Sequence, residues 1–169
     1  MRKIWLVILI ITLINFSCKK KEPGLDQIFS EYSDLKGVSF IKLPPTLFKV
    51  YLEKYENVPE ISFENVKVIR YMVVDKTETD IPNKPTMVND INSELDLLKF
   101  EDLLRYSESG NETIVRILDN GNYISDLMIL VNDNGSLMMI GISGQMKMED
   151  ITNLASKIDF TSLKGIRIN

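Results

Sequence analysis

The sequence predicts an α+β domain with a mixed sheet, a C-terminal antiparallel meander, helices packed mainly on one face and a closing C-terminal helix. Three observations predict it. Segments with helical spacing alternate with short β-rich runs through the first two thirds of the chain. "VKVIRYMVV", Val66–Val74, is nearly all apolar and β-branched, as in a strand covered on both faces. The last third holds three β-rich runs separated by two Asp-Asn-Gly triplets, and a helical pattern follows them.

The first helix is carried by Leu25, Ile28, Phe29 and Tyr32, at i, i+3, i+4 and i+7, and Gly37 stops it. Val38–Leu43 reads as a strand. Pro44-Pro45 breaks it, and Pro45 suits the first turn of a second helix, whose face is Phe48, Tyr51, Leu52 and Tyr55. After Val66–Val74, the polar stretch Asp75–Pro85 reads as a loop. Val88, Ile91, Leu95 and Leu98 space out a third helix. "FEDLLRYS" fits either a continued helix or a short strand; the alternation of Leu104 and Tyr106 with Arg105 favours the strand. Thr113–Leu118, Tyr123–Val131 and Leu137–Ile142 form the meander. Asn-Gly suits type I′ turns, which need positive φ at both central positions. Met148, Ile151, Leu154, Ala155 and Ile158 mark the last helix, with Glu149 and Asp150 in the first turn, where the helix dipole favours acids.

The N-terminus carries a different kind of signal. Arg2 and Lys3 precede Ile4–Ile14, apolar except for Thr12. As a helix these residues span about 16 Å, roughly half of a hydrocarbon core. That length suits a secretory signal and not a membrane span. The only cysteine of the chain, Cys18, follows Ser17 at the expected cut site. The segment resembles a bacterial lipoprotein signal with a lipobox, Asn15-Phe16-Ser17-Cys18; the other reading is an ordinary secretory signal with an incidental cysteine. The resemblance implies lipidation of Cys18 and cleavage before it. The chain then divides into a signal peptide (1–17), a lipidated tether (18–24) and one domain (25–169). Lys19, Lys20 and Lys21 lie beside headgroups or form a plain solvated tether. Lysines in place of acids after the cysteine point to the periplasmic face of the outer membrane. The partners expected are the membrane, through the lipid, and an envelope protein or apolar ligand.

Removing Met1–Ser17 takes away Arg2 and Lys3 and no acid, which leaves 18 basic against 24 acidic residues and a net charge of −6. An acidic domain of this size argues against nucleic acid, which needs a basic footprint. The chain has no histidine and no cysteine beyond Cys18. Disulfides within the mature domain, Cys or His zinc sites and Ser-His-Asp or Cys-His machinery are therefore excluded. No cofactor is expected.

From Asp26 onward the chain resembles the domain of unknown function 4252 family, found mostly as Bacteroidetes lipoproteins. The stretches that carry the resemblance are "IFSEYSDLKGVSFIKL", "FEDLLRYSESGNETIVRIL" and "YISDLMILVNDNGSLMMIGISGQMKMEDITNLASKI". The resemblance implies neither an activity nor catalytic residues.

Other chemistry is weak. Gly141-Ile142-Ser143-Gly144 lacks the final glycine of a nucleophile elbow, Gln145 standing there, and has no histidine as base. The two Asp-Asn-Gly turns lack the alternating acids of a calcium loop. Glu101-Asp102 and Glu149-Asp150 are adjacent residues whose side chains diverge, so neither is a ready carboxylate dyad. Met128, Met138 and Met139 are candidate residues of a binding face, because methionine-rich surfaces accommodate apolar partners and the meander carries apolar residues on both faces. The expectation is a non-catalytic binding module. The alternatives are a hydrolase using Ser-Lys or carboxylate chemistry, and a passive assembly subunit.

Overall fold

The computed structural model describes residues 24–52, 64–75, 77 and 84–157. The elements in chain order are α1 (Leu25–Ser33), β1 (Val38–Leu43), α2 (Pro45–Leu52), β2 (Val66–Asp75), α3 (Lys84–Leu97), β3 (Glu101–Glu108), β4 (Asn111–Asp119), β5 (Ile124–Asn132), β6 (Ser136–Met146) and α4 (Met148–Lys157). Among the described residues six strands form one sheet in the order β1-β2-β6-β5-β4-β3.

The α+β class holds, but the sheet is not mixed: every neighbouring pair is antiparallel. The reason lies in the connections. β1 ends, and β2 begins, at the same end of the sheet. β2 and β3 run the same way across the α3 crossover, yet β6, β5 and β4 lie between them.

Helices cover both faces rather than mainly one. On one face, Leu25, Ile28 and Phe29 of α1 and Val88, Ile91 and Leu95 of α3 pack on Met72, Val74, Ile114, Met128, Leu130 and Met139. On the other, Phe48 of α2 and Ile151 and Leu154 of α4 pack on Ile69, Tyr71, Val115, Ile129, Met138 and Ile140. A strand buried on both faces must be apolar at successive positions. That accounts for the unbroken apolar runs of β2, β5 and β6.

Register departs from simple alternation at four places. The pairings shift between Val66 and Val68, between Asp102 and Leu104, between Leu118 and Asp119, and between Ile124 and Asp126. The last places Ile124 on the same face as Leu127, although strict alternation sets them apart. The hairpins fall where Asp-Asn-Gly predicts them, but not as type I′ turns. Neither Asn120 nor Asn134 takes positive φ. Instead the preceding aspartates turn the chain: Asp119 Oδ1 accepts from the Gly121 N–H at 2.7 Å, and Asp133 Oδ1 from those of Gly135 at 2.7 Å and Ser136 at 2.5 Å. The turn with positive φ at both central residues joins β3 to β4, at Ser109 (51°) and Gly110 (82°), between the paired residues Glu108 and Asn111.

Candidate functional site

One row of the sheet carries the polar groups that reach the interior. Cross-strand partners share a face, and the register places Lys42, Arg70, Gly141, Met128, Arg116 and Asp102 side by side across all six strands. The row lies on the face covered by α1 and α3. Its middle is apolar. A Cβ on Gly141 would lie 2.6 Å from Phe29 Cε2, so the missing side chain is the space the Phe29 ring fills. Arg70 and Arg116, both buried, stand on either side of this plug.

Arg70 is the centre of the first network. Asp26, in the first turn of α1, accepts from its Nε at 3.0 Å and lies 3.0 Å from its Nη2, a two-pronged pairing. Lys42 Nζ joins the same carboxylate at 2.7 Å. On the other side Arg70 Nη1 donates to Ser143 Oγ at 2.8 Å, and Ser143 Oγ donates to Asp126 Oδ1 at 2.5 Å. Ser125 Oγ lies 3.0 Å from Asp126 Oδ2. The chain of bonds ties α1 to β1, β2, β6 and β5. Hydrogen bonds from Arg70, then Lys42, hold the Asp26 carboxyl well below the usual carboxylate range, against the opposing effect of burial.

Arg116 is the centre of the second. It donates to the carbonyls of Asn92 (3.1 Å) and Phe100 (2.8 Å) and to Asp96 Oδ1 (2.5 Å). Asp102 Oδ1 lies 2.8 Å from its Nε, an ion pair that lacks the alignment of a hydrogen bond. Asp102 Oδ2 accepts from Arg105, which also reaches Glu112 Oε1 at 2.9 Å. This network fastens the end of α3 to the edge of the sheet. A third group, Glu31, Asp90 and Glu94, lies where α1 and α3 face each other. Burial, followed by the charges of Glu31 and Asp90, pushes the Glu94 carboxyl up. Burial, followed by the charges of Glu94, Glu31 and Asp90, pushes the Tyr32 hydroxyl up to about 12.

These networks hold charge; they are poorly arranged to move protons. Ser143 accepts from an arginine, which offers only donors, and donates to a carboxylate that Ser125 also contacts. Asp26, held well below the usual carboxylate range by Arg70 and Lys42, is a poor base. Among the described residues no group of three or more Asp, Glu, His or Cys side chains is placed to hold a metal.

The candidate binding residues lie elsewhere than an open face. Met128, Met138 and Met139 are fully buried, Met128 and Met139 beneath α1 and α3 and Met138 beneath α2 and α4. They are core of the monomer, and the apolar double-sidedness of the meander reflects helices on both sides. Cys18 lies outside the described residues. Gly144, like Gly141, is explained by packing: a Cβ there would run into the Asn65 carbonyl oxygen and the Val66 Cα. Asp102 is bound into the Arg116 network, and Glu149 and Asp150 sit in the first turn of α4. Arg70, Asp26, Asp126 and Arg116 have no signature in the sequence beyond two arginines inside apolar runs, at positions that a strand buried on both faces must compensate.

A family model described as a domain of unknown function, DUF4252, matches residues 29–154. No curated protein and no solved structure matches the chain.

Proposed function

Because the chain belongs to the DUF4252 family, whose description gives no activity, we propose its role from its own residues: a lipid-anchored protein of the bacterial envelope, on the periplasmic face of the outer membrane, whose domain binds a protein or peptide partner without chemistry. The observation that carries this reading is Cys18. The lone cysteine follows a short signal-like segment and stands six residues before Gly24, where the described fold begins. Among the described residues no helix is long and apolar enough to cross a membrane, so in this reading acyl chains supply the anchor. Two or more such chains hold stably where one does not. Intact mass of the mature protein tests it: the expected chain starts at Cys18 and carries acyl groups, and Cys18→Ala accumulates as uncleaved precursor. A Cys18→Ala protein that is cut normally and released into solution refutes the anchor.

Support for a protein or peptide partner comes from β3. Among the described residues no strand pairs with its outer edge, and all eight of its residues except Leu103 are exposed. An extended segment can add to such an edge through main-chain hydrogen bonds. Leu104 and Tyr106 supply exposed apolar surface beside it. A photo-crosslinking residue in place of Tyr106, in intact envelopes, is expected to yield one recurrent adduct that is absent from Asn134; labelling without preference refutes the surface.

Ser143 is the one feature that favours a hydrolase instead. Against it, Lys42 is held by Asp26 rather than by Ser143, and Ser143 faces Arg70. Hydrolysis of ester or amide substrates that disappears in Ser143→Ala, with folding intact, would establish the hydrolase.

A further inference from the structure

Six large apolar side chains are exposed among the described residues, and three of them lie at one end of the sheet. The topology fixes that end. β1 stops at Leu43 and α2 starts just after it; α3 ends at Leu97, four residues before β3 begins at Glu101; β6 stops at Met146, just before α4. The cross-strand row Leu43, Ile69, Ile142, Leu127, Ile117 and Glu101 confirms that these termini belong to the same end. Leu47, in the first turn of α2, is 58% exposed; Leu97 is 83% exposed; Met148, the first residue of α4, is 41% exposed. An exposed lysine stands within two residues of each: Lys49, Lys99 and Lys147. Apolar tips flanked by lysines suit an interface where the tip enters the lipid and the ammonium group stays in water.

The described chain begins at this same end. Asp26 pairs with Lys42 and Arg70, one row in from Leu43, so α1 begins here and runs away toward Gly37. Cys18 is then six residues from Gly24, a reach of at most about 20 Å. Among the described residues, the connections at the opposite end, 34–37, 109–110 and 133–135, contain no exposed large apolar side chain.

We propose that this end of the domain rests on the bilayer, with Leu47, Leu97 and Met148 in the headgroup region. The inference rests on the lipid-anchor reading of Cys18 and adds an orientation to it: the strands stand on the membrane, and the turns at Gly110 and Asn134 point away from it. Glu64, Asp119 and Glu149 share the membrane end, so attraction to anionic lipid is not what holds it, and neutral phosphatidylcholine is the appropriate probe.

The experiment uses the acylated mature chain in phosphatidylcholine vesicles. Leu97→Cys, and separately Asn134→Cys, receives an environment-sensitive fluorophore, the Cys18 sulfur being blocked by its lipid. The label at Leu97 is expected to shift to the blue and to be quenched by headgroup-level nitroxide lipids, whereas the label at Asn134 does neither. Circular dichroism confirms that both variants fold, as is expected for substitutions at exposed positions. An acylated, vesicle-bound chain whose two labels are equally unquenched overturns the orientation and leaves the anchor standing. A chain that carries no acyl group and stays free of vesicles overturns the anchor reading, and the orientation with it.

Discussion

Asp26→Asn is the sharpest test of the polar network, because it removes a charge and leaves the shape. Arg70 is 4% exposed and depends on this carboxylate for two of its contacts. Removing one partner of a buried pair costs about 3–5 kcal/mol, since the other charge is left uncompensated. Two features reduce that figure here. The Asp26 side chain is 41% exposed, so water reaches the site, and Arg70 keeps Ser143. We therefore expect a loss of about 2 kcal/mol at pH 7, or roughly 4–8 °C in Tm for a domain of this size. The pH dependence carries the discrimination. The folded-state acidity of Asp26 is depressed, so its contribution is fully present above the ordinary carboxylate pKa and is lost as pH falls through the folded value. The difference between wild type and Asp26→Asn should be constant from pH 7 to about 5 and shrink below about 4. Urea unfolding at a series of pH values, followed by circular dichroism, measures it. Equal stabilities at pH 7, or a difference that persists unchanged to pH 2, would show that the Arg70–Asp26 pairing does not hold α1 to the sheet.

Three further outcomes follow from the packing. Met128→Ala should cost about 2–5 kcal/mol in urea unfolding, as a core truncation does, whereas a residue on an open binding face would cost almost nothing. Gly141→Ala should lose about 1–3 kcal/mol because its Cβ meets the Phe29 ring, and Phe29→Leu in the same chain should recover part of the loss. Glu94→Gln should gain up to about 1 kcal/mol at pH 7. Its carboxyl is pushed up by burial and by Glu31 and Asp90, so the folded state holds that proton more tightly and its ionisation costs stability as pH rises. The gain should vanish on acidification; a Glu94→Gln protein no more stable than wild type at pH 7 would contradict the crowding of these acids.

Which parts of this fold are legible in sequence follows from how local their causes are. The faces of α1, α3 and α4 are set by spacing within each helix, and Ile28, Phe29, Ile91, Leu95, Ile151 and Leu154 are buried as their positions imply. The Asp-Asn-Gly hairpins are equally local, although the aspartate side chains rather than positive φ at asparagine make the turns. The continuous apolar run of β2 implies helices on both sides. The same logic applied to β5 and β6 leads to two covered faces, and it displaces the reading of Met128, Met138 and Met139 as a binding surface. The arginine networks are another matter. Asp26 and Arg70 are 44 residues apart, and Arg70 and Ser143 are 73 apart. Each pairing depends on register, and register shifts at four places that no turn residue announces. An arginine inside an apolar run reads locally as a solvated position. Only the assembled sheet shows Arg70 and Arg116 on one row, separated by the space that Gly141 leaves for Phe29. The same long-range geometry gathers Leu47, Leu97 and Met148 at one end. They belong to three helices, and each is unremarkable in its own segment. Their shared end is also the end where α1 begins, next to Lys42 and Arg70, so the sheet brings together exposed apolar residues and a helix start that lie far apart in sequence.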